Sequence, residues 1–294
     1  MSFASEALGA REVELLTAPS APQAPLQRSR QRRRLRPWRV TILVLAGLFY
    51  LVPLLASVKF SLIDPSGAYS LSNFTYIFNN APLRDALYTS LEIAGLTAIL
   101  VVLLILPTAV LVQLKLPKLT IVMEAVTILP IVVPPIVLAA GLSEMQATAP
   151  LWLVKLVFNH PLTSLTPIYT VLAMPLVYRS VHNGLRAIDL HTLVDASRSL
   201  GCGWTSTILR VILPNVQTAV LGGMFLTIAM VLGEVVISSQ LLYLTFPVDM
   251  IQVSQQDNSP GISVALTLVA LAFTFLLLFS LTFLARRRGQ QSTG

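Results

Sequence analysis

The segment DASRSLGCGWTSTILRVILPNV, residues 195–216, is a polar interruption in an otherwise apolar chain. It places Arg198 close to small residues around Gly201 and Gly203, and the apolar sequence resumes abruptly at Pro214. In membrane proteins such interruptions connect apolar spans, because irregular backbone needs hydrogen-bond partners that lipid does not supply. The sequence on either side therefore decides where this segment lies.

Composition indicates an integral membrane protein. Of the 294 residues, 55% are hydrophobic and 11% are charged, which leaves too little polar sequence to cover a water-facing surface. Six apolar runs approach the roughly twenty residues that a helix needs to cross a bilayer. They are residues 40–58, 87–111, 119–142, 165–181, 216–237 and 262–285. We expect an all-α membrane protein with six transmembrane helices, and an interfacial or re-entrant helix at residues 150–158.

Basic residues near the ends of these spans predict the orientation of the chain. With six spans both termini lie on one side, and placing them inside leaves only Lys59, Arg84 and Lys155 outside. The inside then holds the basic residues of the run 28–39, Lys115, Lys118, Arg179, Arg186, Arg198, Arg210 and the run 286–288. This asymmetry satisfies the positive-inside rule, so both termini and the segment 195–216 are expected in the cytoplasm.

The ends of the chain differ from its middle. Residues 1–36 are rich in Ala, Pro, Ser, Gln and Arg, which predicts a disordered basic cytoplasmic tail. The run RSRQRRRLRPWR at residues 28–39 abuts the first span and lacks the aromatic interleaving of a nucleic-acid surface. We therefore expect it to contact anionic membrane lipid and not nucleic acid. Residues 37–288 form the predicted membrane domain, and residues 289–294 form a second cytoplasmic tail.

The polar segment and the residues before it predict two helices joined by a sharp turn. Asp189 is placed to cap the first helix, and Gly201 stands where helices commonly end with positive φ. Apolar positions recur with helical spacing at Leu190, Leu193, Val194 and Leu200, and again at Trp204, Ile208, Val211 and Ile212. The second helix is expected to stop at Pro214.

The spacing of this hairpin resembles a known family. Asp195-Ala196-Ser197, three residues, Gly201, nine residues and then Val211-Ile212-Leu213-Pro214 is similar to the signature loop of permeases of binding-protein-dependent ABC importers. That loop is written E-A-A, three residues, G, nine residues, I, one residue, L-P. Asp, Ser and Val replace the Glu, the second Ala and the Ile of the pattern. The resemblance covers residues 37–288 and implies the type I permease fold with a cytoplasmic coupling-helix loop.

The resemblance implies a set of partners. The loop 182–215 would dock onto a cytoplasmic ATPase dimer that holds ATP and Mg²⁺, and the solute would arrive on an extracytoplasmic binding protein. The docking residues would be Asp195, Ala196, Ser197, Arg198, Leu200, Gly201, Leu213 and Pro214. A second permease subunit is also implied, with a paralogue favoured over a second copy of this chain. The complex would lie in a bacterial plasma membrane.

This chain is not expected to be an enzyme or to bind a cofactor. It contains no Gly-x4-Gly-Lys-Ser/Thr phosphate loop, so ATP hydrolysis is assigned to the partner. Its three histidines and Cys202 lack the spacing of a metal or nucleophile site, so no catalytic residue and no metal ligand is predicted. A secondary transporter without an ATPase and a membrane scaffold without a translocation path are the alternative classes.

Glu234, Ser238 and Ser239 are predicted to line the translocation path. An ionisable residue within a predicted span is costly, which makes Glu234 a candidate to neutralise a cationic solute; a helix-packing hydrogen bond is the equal alternative. The segment 232–239 resembles spermidine and putrescine permeases, so a polyamine is the first candidate solute. Iron, thiamine, phosphonate, sulfate, molybdate and sugar are the alternatives. Prolines 130, 134 and 135 predict a bent third span, which would either line a path or form a static kink.

Overall fold

The computed structural model describes residues 37–64, 67–256 and 260–290. The predicted N-terminal tail and residues 291–294 lie outside these ranges. Within the described residues the chain is helical, and the only bridge between extended segments is an isolated one that joins Ile63 and Tyr69. This confirms the prediction of an all-α protein.

The described helices follow one another with short connections. They are α1 Pro37–Ser61, α2 Ser72–Asn79, α3 Ala81–Lys115, α4 Thr120–Val132, α5 Pro135–Thr148, α6 Leu151–Val157, α7 Pro161–Arg186, α8 Leu190–Ser199, α9 Trp204–Leu232, α10 Val236–Gln240, α11 Phe246–Gln256 and α12 Pro260–Gln290. A 3₁₀ turn, Pro117–Leu119, joins α3 to α4. The short helix α6 forms where the sequence predicted one.

Three described helices are long and apolar enough to cross a membrane. They are Thr41–Ser61 within α1, the whole of α3, and α9. The pair α4 and α5 adds a fourth span if the two bent halves cross together. The predicted fourth span lies in α7, which is long but rich in Ser, Thr and Pro. The sixth lies in α12, whose apolar part among the described residues is Gly261–Leu276. The number of six spans stays a prediction.

The predicted bend in the third span is present, and α4 and α5 meet at 84°. Val133 and Pro134 are extended, with ψ of 121° and 134°. Each precedes a proline, whose ring disfavours the helical conformation of the residue before it. Pro135 then starts α5, where a missing N–H costs no hydrogen bond. The proline pair thus breaks the span by its own geometry.

Helices α3, α7 and α9 form the core that positions the rest. Their contact faces carry buried apolar side chains, among them Val101, Ala109, Val177, Leu185 and Val220. Helices α7 and α9 approach closely, because a Cβ on Gly184 would stand 2.5 Å from Ala219 Cβ, and one on Gly223 would stand 3.2 Å from Val177 Cα. Small residues at the crossing of membrane helices permit this approach.

The predicted fifth span, residues 216–237, is wrong at both ends. The helix begins at Trp204, upstream of the expected boundary, and ends at Leu232. Gly233 and Glu234 form a break, and the chain turns into the short helix α10. Glu234 therefore lies beyond the end of α9 and not within a continuous helix.

Candidate functional site

The first part of the site is the hairpin formed by α8 and α9. Asp189 caps α8 as predicted: Oδ1 accepts the Thr192 N–H at 3.3 Å, and Oδ2 accepts the Thr192 hydroxyl at 2.7 Å. The bonds from the Thr192 hydroxyl and then from its N–H hold the pKa of Asp189 below its ordinary value. The start of α8 is thus fixed by one side chain.

The C-terminus of α8 is closed by a Schellman motif. Gly201 has φ of +81°. Its N–H donates to the Arg198 carbonyl at 2.9 Å, and the Cys202 N–H donates to the Ser197 carbonyl at 3.1 Å. Positive φ is strained for residues with a Cβ, which explains the glycine. The predicted turn is confirmed at atomic level.

Five of the predicted docking residues form one exposed surface, which we call the α8–α9 turn: Asp195, Ala196, Arg198, Leu200 and Gly201. Leu200, expected on the apolar side of α8, is instead 84% exposed. It is the helix C-cap, so its side chain leaves the stripe formed by the buried Leu190 and Val194.

Ser197 differs from the other predicted docking residues because it is buried. Its hydroxyl lies 2.9 Å from Thr207 Oγ1, which in turn donates to the Gly203 carbonyl at 3.0 Å. Since the single Thr207 proton is used in that second bond, Ser197 is the donor of the first. The serine that departs from the family pattern therefore links α8 to α9.

Trp204, the first residue of α9, has two cations near its ring. Lys115 Nζ lies 5.3 Å and Arg198 Cζ 5.4 Å from the ring centroid, within the range of cation–π attraction. Arg198 also donates from Nη1 to the Cys202 carbonyl at 3.2 Å. Trp204 thereby connects the end of α3 to the α8–α9 turn.

Helix α9 passes through Pro214, where the sequence predicted a stop. Residues Ile208–Ile212 form a π turn, in which the Leu213 N–H donates to the Ile208 carbonyl. The wider turn shifts the hydrogen-bond register just before the proline, and the Asn215 side chain donates to the Val211 carbonyl at 2.7 Å. Leu213 is half-buried and Pro214 is exposed on the continuing helix.

The second part of the site surrounds Glu234, and we call it the Glu234 cluster: Tyr169, Glu234, Ile237, Ser238 and Thr245. Tyr169 donates to Glu234 Oε2 at 2.6 Å, and the Ile237 N–H donates to Oε1 at 2.8 Å. The Ser238 N–H donates to Oε2 at 3.3 Å, and Thr245 donates to Ser238 Oγ at 3.1 Å. Glu234 therefore caps α10 and ties it to α7.

The three predicted path residues have different surroundings. Glu234 is half-buried with both oxygens engaged, Ser238 is buried, and Ser239 is exposed with its hydroxyl donating to the Val236 carbonyl at 3.1 Å. Sequence reasoning missed Tyr169, which lies 65 residues from Glu234. The available signal was a tyrosine within an apolar span, since a buried hydroxyl needs a partner.

The two parts of the site are far apart. The α8–α9 turn precedes α9 and the Glu234 cluster follows it, so the 29 residues of α9 separate them by about 43 Å. Among the described residues no group of three His, Cys, Asp or Glu side chains is arranged to hold a metal ion.

The chain is an apolar helical membrane protein with an exposed turn at one end of its core helix and a polar cluster at the other. The chain belongs to the family of binding-protein-dependent transport system inner membrane components, whose model matches residues 28–290. It is also similar to a Haloferax volcanii protein described as a probable molybdenum ABC transporter permease. The two are 29% identical over 266 residues, covering 86% of this chain and 94% of that protein. The chain is thus a multi-pass membrane permease subunit of a binding-protein-dependent ABC importer.

Proposed function

We propose that the α8–α9 turn is the surface on which this permease receives the motion of its ATPase dimer. Leu200 carries the proposal, because an 84% exposed leucine at the tip of a closed turn is suited to fill an apolar pocket on a partner. Arg198 and Asp195 flank it with opposite charges that can fix the register. Leu213 and Pro214 complete the contact from α9.

The proposed orientation has six spans with both termini in the cytoplasm. Helix α7 has 26 residues and α12 has 31, or about 39 Å and 46 Å, which exceeds the hydrocarbon thickness. The polar side chains of α7 are compatible with a span if neighbouring helices of the complex cover them. The second permease subunit, a paralogue or a second copy, is the proposed neighbour.

The proposed solute is an oxyanion, with molybdate as the first candidate. A groove of about 480 Å³ between α7 and α9 is lined by neutral polar groups from Ser180, Asn183, Asn215 and Thr218, and no carboxylate lines it. Hydroxyl and amide donors can bind an oxyanion without the desolvation cost of a paired charge. Asn183 and Thr218 supply such donors and Asn215 keeps one amide proton, whereas Ser180 and the other Asn215 proton already bind the Ala219 and Val211 carbonyls. The name of the Haloferax volcanii relative, which specifies molybdenum, supports the same choice.

The polyamine is the second candidate, and it depends on Glu234. A polyamine ammonium needs an accessible carboxylate, whereas Glu234 is half-buried and both its oxygens already accept hydrogen bonds within this chain. This geometry favours a structural role for Glu234, and Ser239 is the more accessible path candidate. In alternating access, closure of the ATPase dimer around ATP would move the solute past the α7–α9 groove, which lies beside the loop 182–215 at the expected cytoplasmic end of both helices.

The test is the ATPase activity of the complex, purified through this subunit with its native partners and reconstituted with its binding protein. Molybdate is expected to stimulate hydrolysis and spermidine is not. Stimulation by spermidine alone would restore the polyamine prediction. Leu200→Ser is expected to abolish stimulation, while Leu244→Ser, a matched exposed leucine beyond α10, should retain it. A folded complex without any ATPase would contradict the docking proposal and favour a secondary transporter.

A further inference from the structure

An open groove lies between α3 and the first half of α9. It encloses about 470 Å³ and, apart from Trp204 and Thr205, its lining is aliphatic. Its lining includes Ile99, Leu103, Pro107, Trp204, Leu209 and Met224. Ile99, Leu103 and Leu209 are 60%, 67% and 55% exposed. In a membrane such a groove is filled by a lipid chain or by another helix, because water in an apolar groove is unfavourable.

Two cations stand at one end of this groove. Trp204 lines it, and the Lys115 ammonium and the Arg198 guanidinium both lie within 5.5 Å of the Trp204 ring centroid. Among the described residues neither cation has a carboxylate at salt-bridge distance. Arg198 belongs to the α8–α9 turn and donates to the Cys202 carbonyl, so Lys115 is the cation that remains available to an anionic ligand.

The depth of the groove fits one leaflet of a bilayer. Along α3, Pro107 lies 8 residues and Ile99 lies 16 residues before Lys115, or about 12 Å and 24 Å along the helix axis. A leaflet has a polar layer of roughly 5 to 7 Å above a hydrocarbon layer of about 15 Å. With Lys115 at the level of the phosphates, the groove lies at the level of the acyl chains.

We infer that this groove binds an anionic phospholipid, with its phosphate at Lys115 and one acyl chain along α3 and α9. The indole of Trp204 lies between the proposed positions of the phosphate and the acyl chain, which is the level at which amphipathic rings are stabilised in membrane proteins. A helix from a second subunit would fill the apolar part but would bring no anion to Lys115, which is exposed at the end of the groove. The charge at the groove end therefore favours a lipid.

The experiment uses the complete complex in nanodiscs that contain a phospholipid with a photoreactive group in its acyl chain. Phosphatidylglycerol and phosphatidylcholine with the same chains are compared, and the labelled residues are mapped by mass spectrometry. Phosphatidylglycerol is expected to label the groove residues of α3 and α9 about fivefold more than phosphatidylcholine, the effect of roughly one interfacial cation. Excess inorganic phosphate should not reduce this labelling, because it lacks the chain that fills the groove.

Three variants make the test specific to the groove. Lys115→Gln should reduce phosphatidylglycerol labelling about fivefold, whereas Lys118→Gln, in the exposed 3₁₀ turn three residues further, should not. Leu103→Trp fills the groove from an exposed position and should reduce labelling by both lipids. Thermal unfolding of each variant confirms that it is folded.

Several results would overturn the inference. Equal labelling by the two lipids would show that the lipid headgroup is not recognised. Normal labelling of the Lys115→Gln variant would show that Lys115 does not bind it. Unchanged labelling of the Leu103→Trp variant would show that no acyl chain occupies the groove. Displacement by inorganic phosphate would indicate a free-anion site. A photo-crosslink from position 99 to a second permease subunit would show that a protein helix occupies the groove.

Discussion

The Tyr169 hydroxyl donates a 2.6 Å hydrogen bond to Glu234 Oε2, although the two residues lie 65 positions apart. Tyr169 is 1% exposed in the middle of α7, and Glu234 lies in the break after α9. The same carboxylate caps α10 through the Ile237 N–H. One side chain thus fixes the break between α9 and α10 against α7.

Tyr169→Phe is expected to lower the free energy of unfolding by about 2 kcal/mol, because it removes a hydrogen bond to a charged group. Tyr243→Phe is the matched control, since its hydroxyl donates to a neutral acceptor, the Phe158 carbonyl, at 2.7 Å; its expected cost is about 1 kcal/mol. Denaturant unfolding of the reconstituted chain measures both.

Glu234→Gln separates the structural role from the path role. If the role of Glu234 is structural, the variant should be less stable than the unmodified protein and should show the same solute preference in the ATPase assay. Full stability combined with altered solute preference would instead place Glu234 in the translocation path, as the sequence suggested.

Gly201→Ala is expected to uncouple ATP hydrolysis from solute binding. Its φ of +81° would cost alanine about 1 to 2 kcal/mol, and no neighbour lies within 4 Å of the new methyl group. The backbone of the α8–α9 turn is therefore the only element that changes. Solute-stimulated ATPase activity measures the effect.

Gly203→Ala provides the matched control for that variant. Gly203 has φ of −72° and equally open surroundings, so alanine fits without strain. It should retain near-normal stimulation. Equal activities of the two variants would show that the shape of the turn is not what the ATPase recognises.

Much of the hairpin follows from its sequence, because its determinants are local. The Asp189 cap, the turn at Gly201 and the proline break between α4 and α5 each depend on residues within a few positions. The passage of α9 through Pro214 was not predictable from residue type. It depends on a π turn, which is a change of hydrogen-bond register and not of composition.

The Glu234 cluster was predicted only in part, because its determinants are distant in sequence. The predicted fifth span ended at residue 237 because Val235, Val236 and Ile237 are as apolar as the helix before them. The helix ends at Leu232 because Gly233 weakens it and the Glu234 carboxylate caps the next one. Tyr169, which completes the cluster, comes from a different helix.

Ser197 and Thr207 should show energetic coupling in a double-mutant cycle. Ser197→Ala restores the alanine of the family pattern but removes the bond between the hydroxyls of α8 and α9. We expect the two single variants, Ser197→Ala and Thr207→Val, to destabilise the hairpin. Their coupling energy should be about 1 kcal/mol. Additive effects would show that the 2.9 Å contact contributes nothing to the association of the two helices.

Asp249→Asn is expected to stabilise the protein at neutral pH. Asp249 is 8% exposed in the first turn of α11, and its Oδ2 has no hydrogen-bond partner among the described residues. Burial raises the pKa of this carboxyl group. The folded state thus holds the proton more tightly than the unfolded state. The native protein therefore loses stability as the pH rises from 3.8, the ordinary pKa of the carboxyl group, through its raised pKa in the folded state.

The gain from Asp249→Asn should therefore be absent below about pH 4 and should increase as the pH rises to neutral. At neutral pH we expect about 1 kcal/mol, the lower range for a buried unsatisfied polar group. Unfolding of the reconstituted chain across this pH range measures it, with the exposed Asp85→Asn as a control that should change little. A loss of stability at pH 7 would contradict the view that the Asp249 carboxylate is unsatisfied in the folded chain.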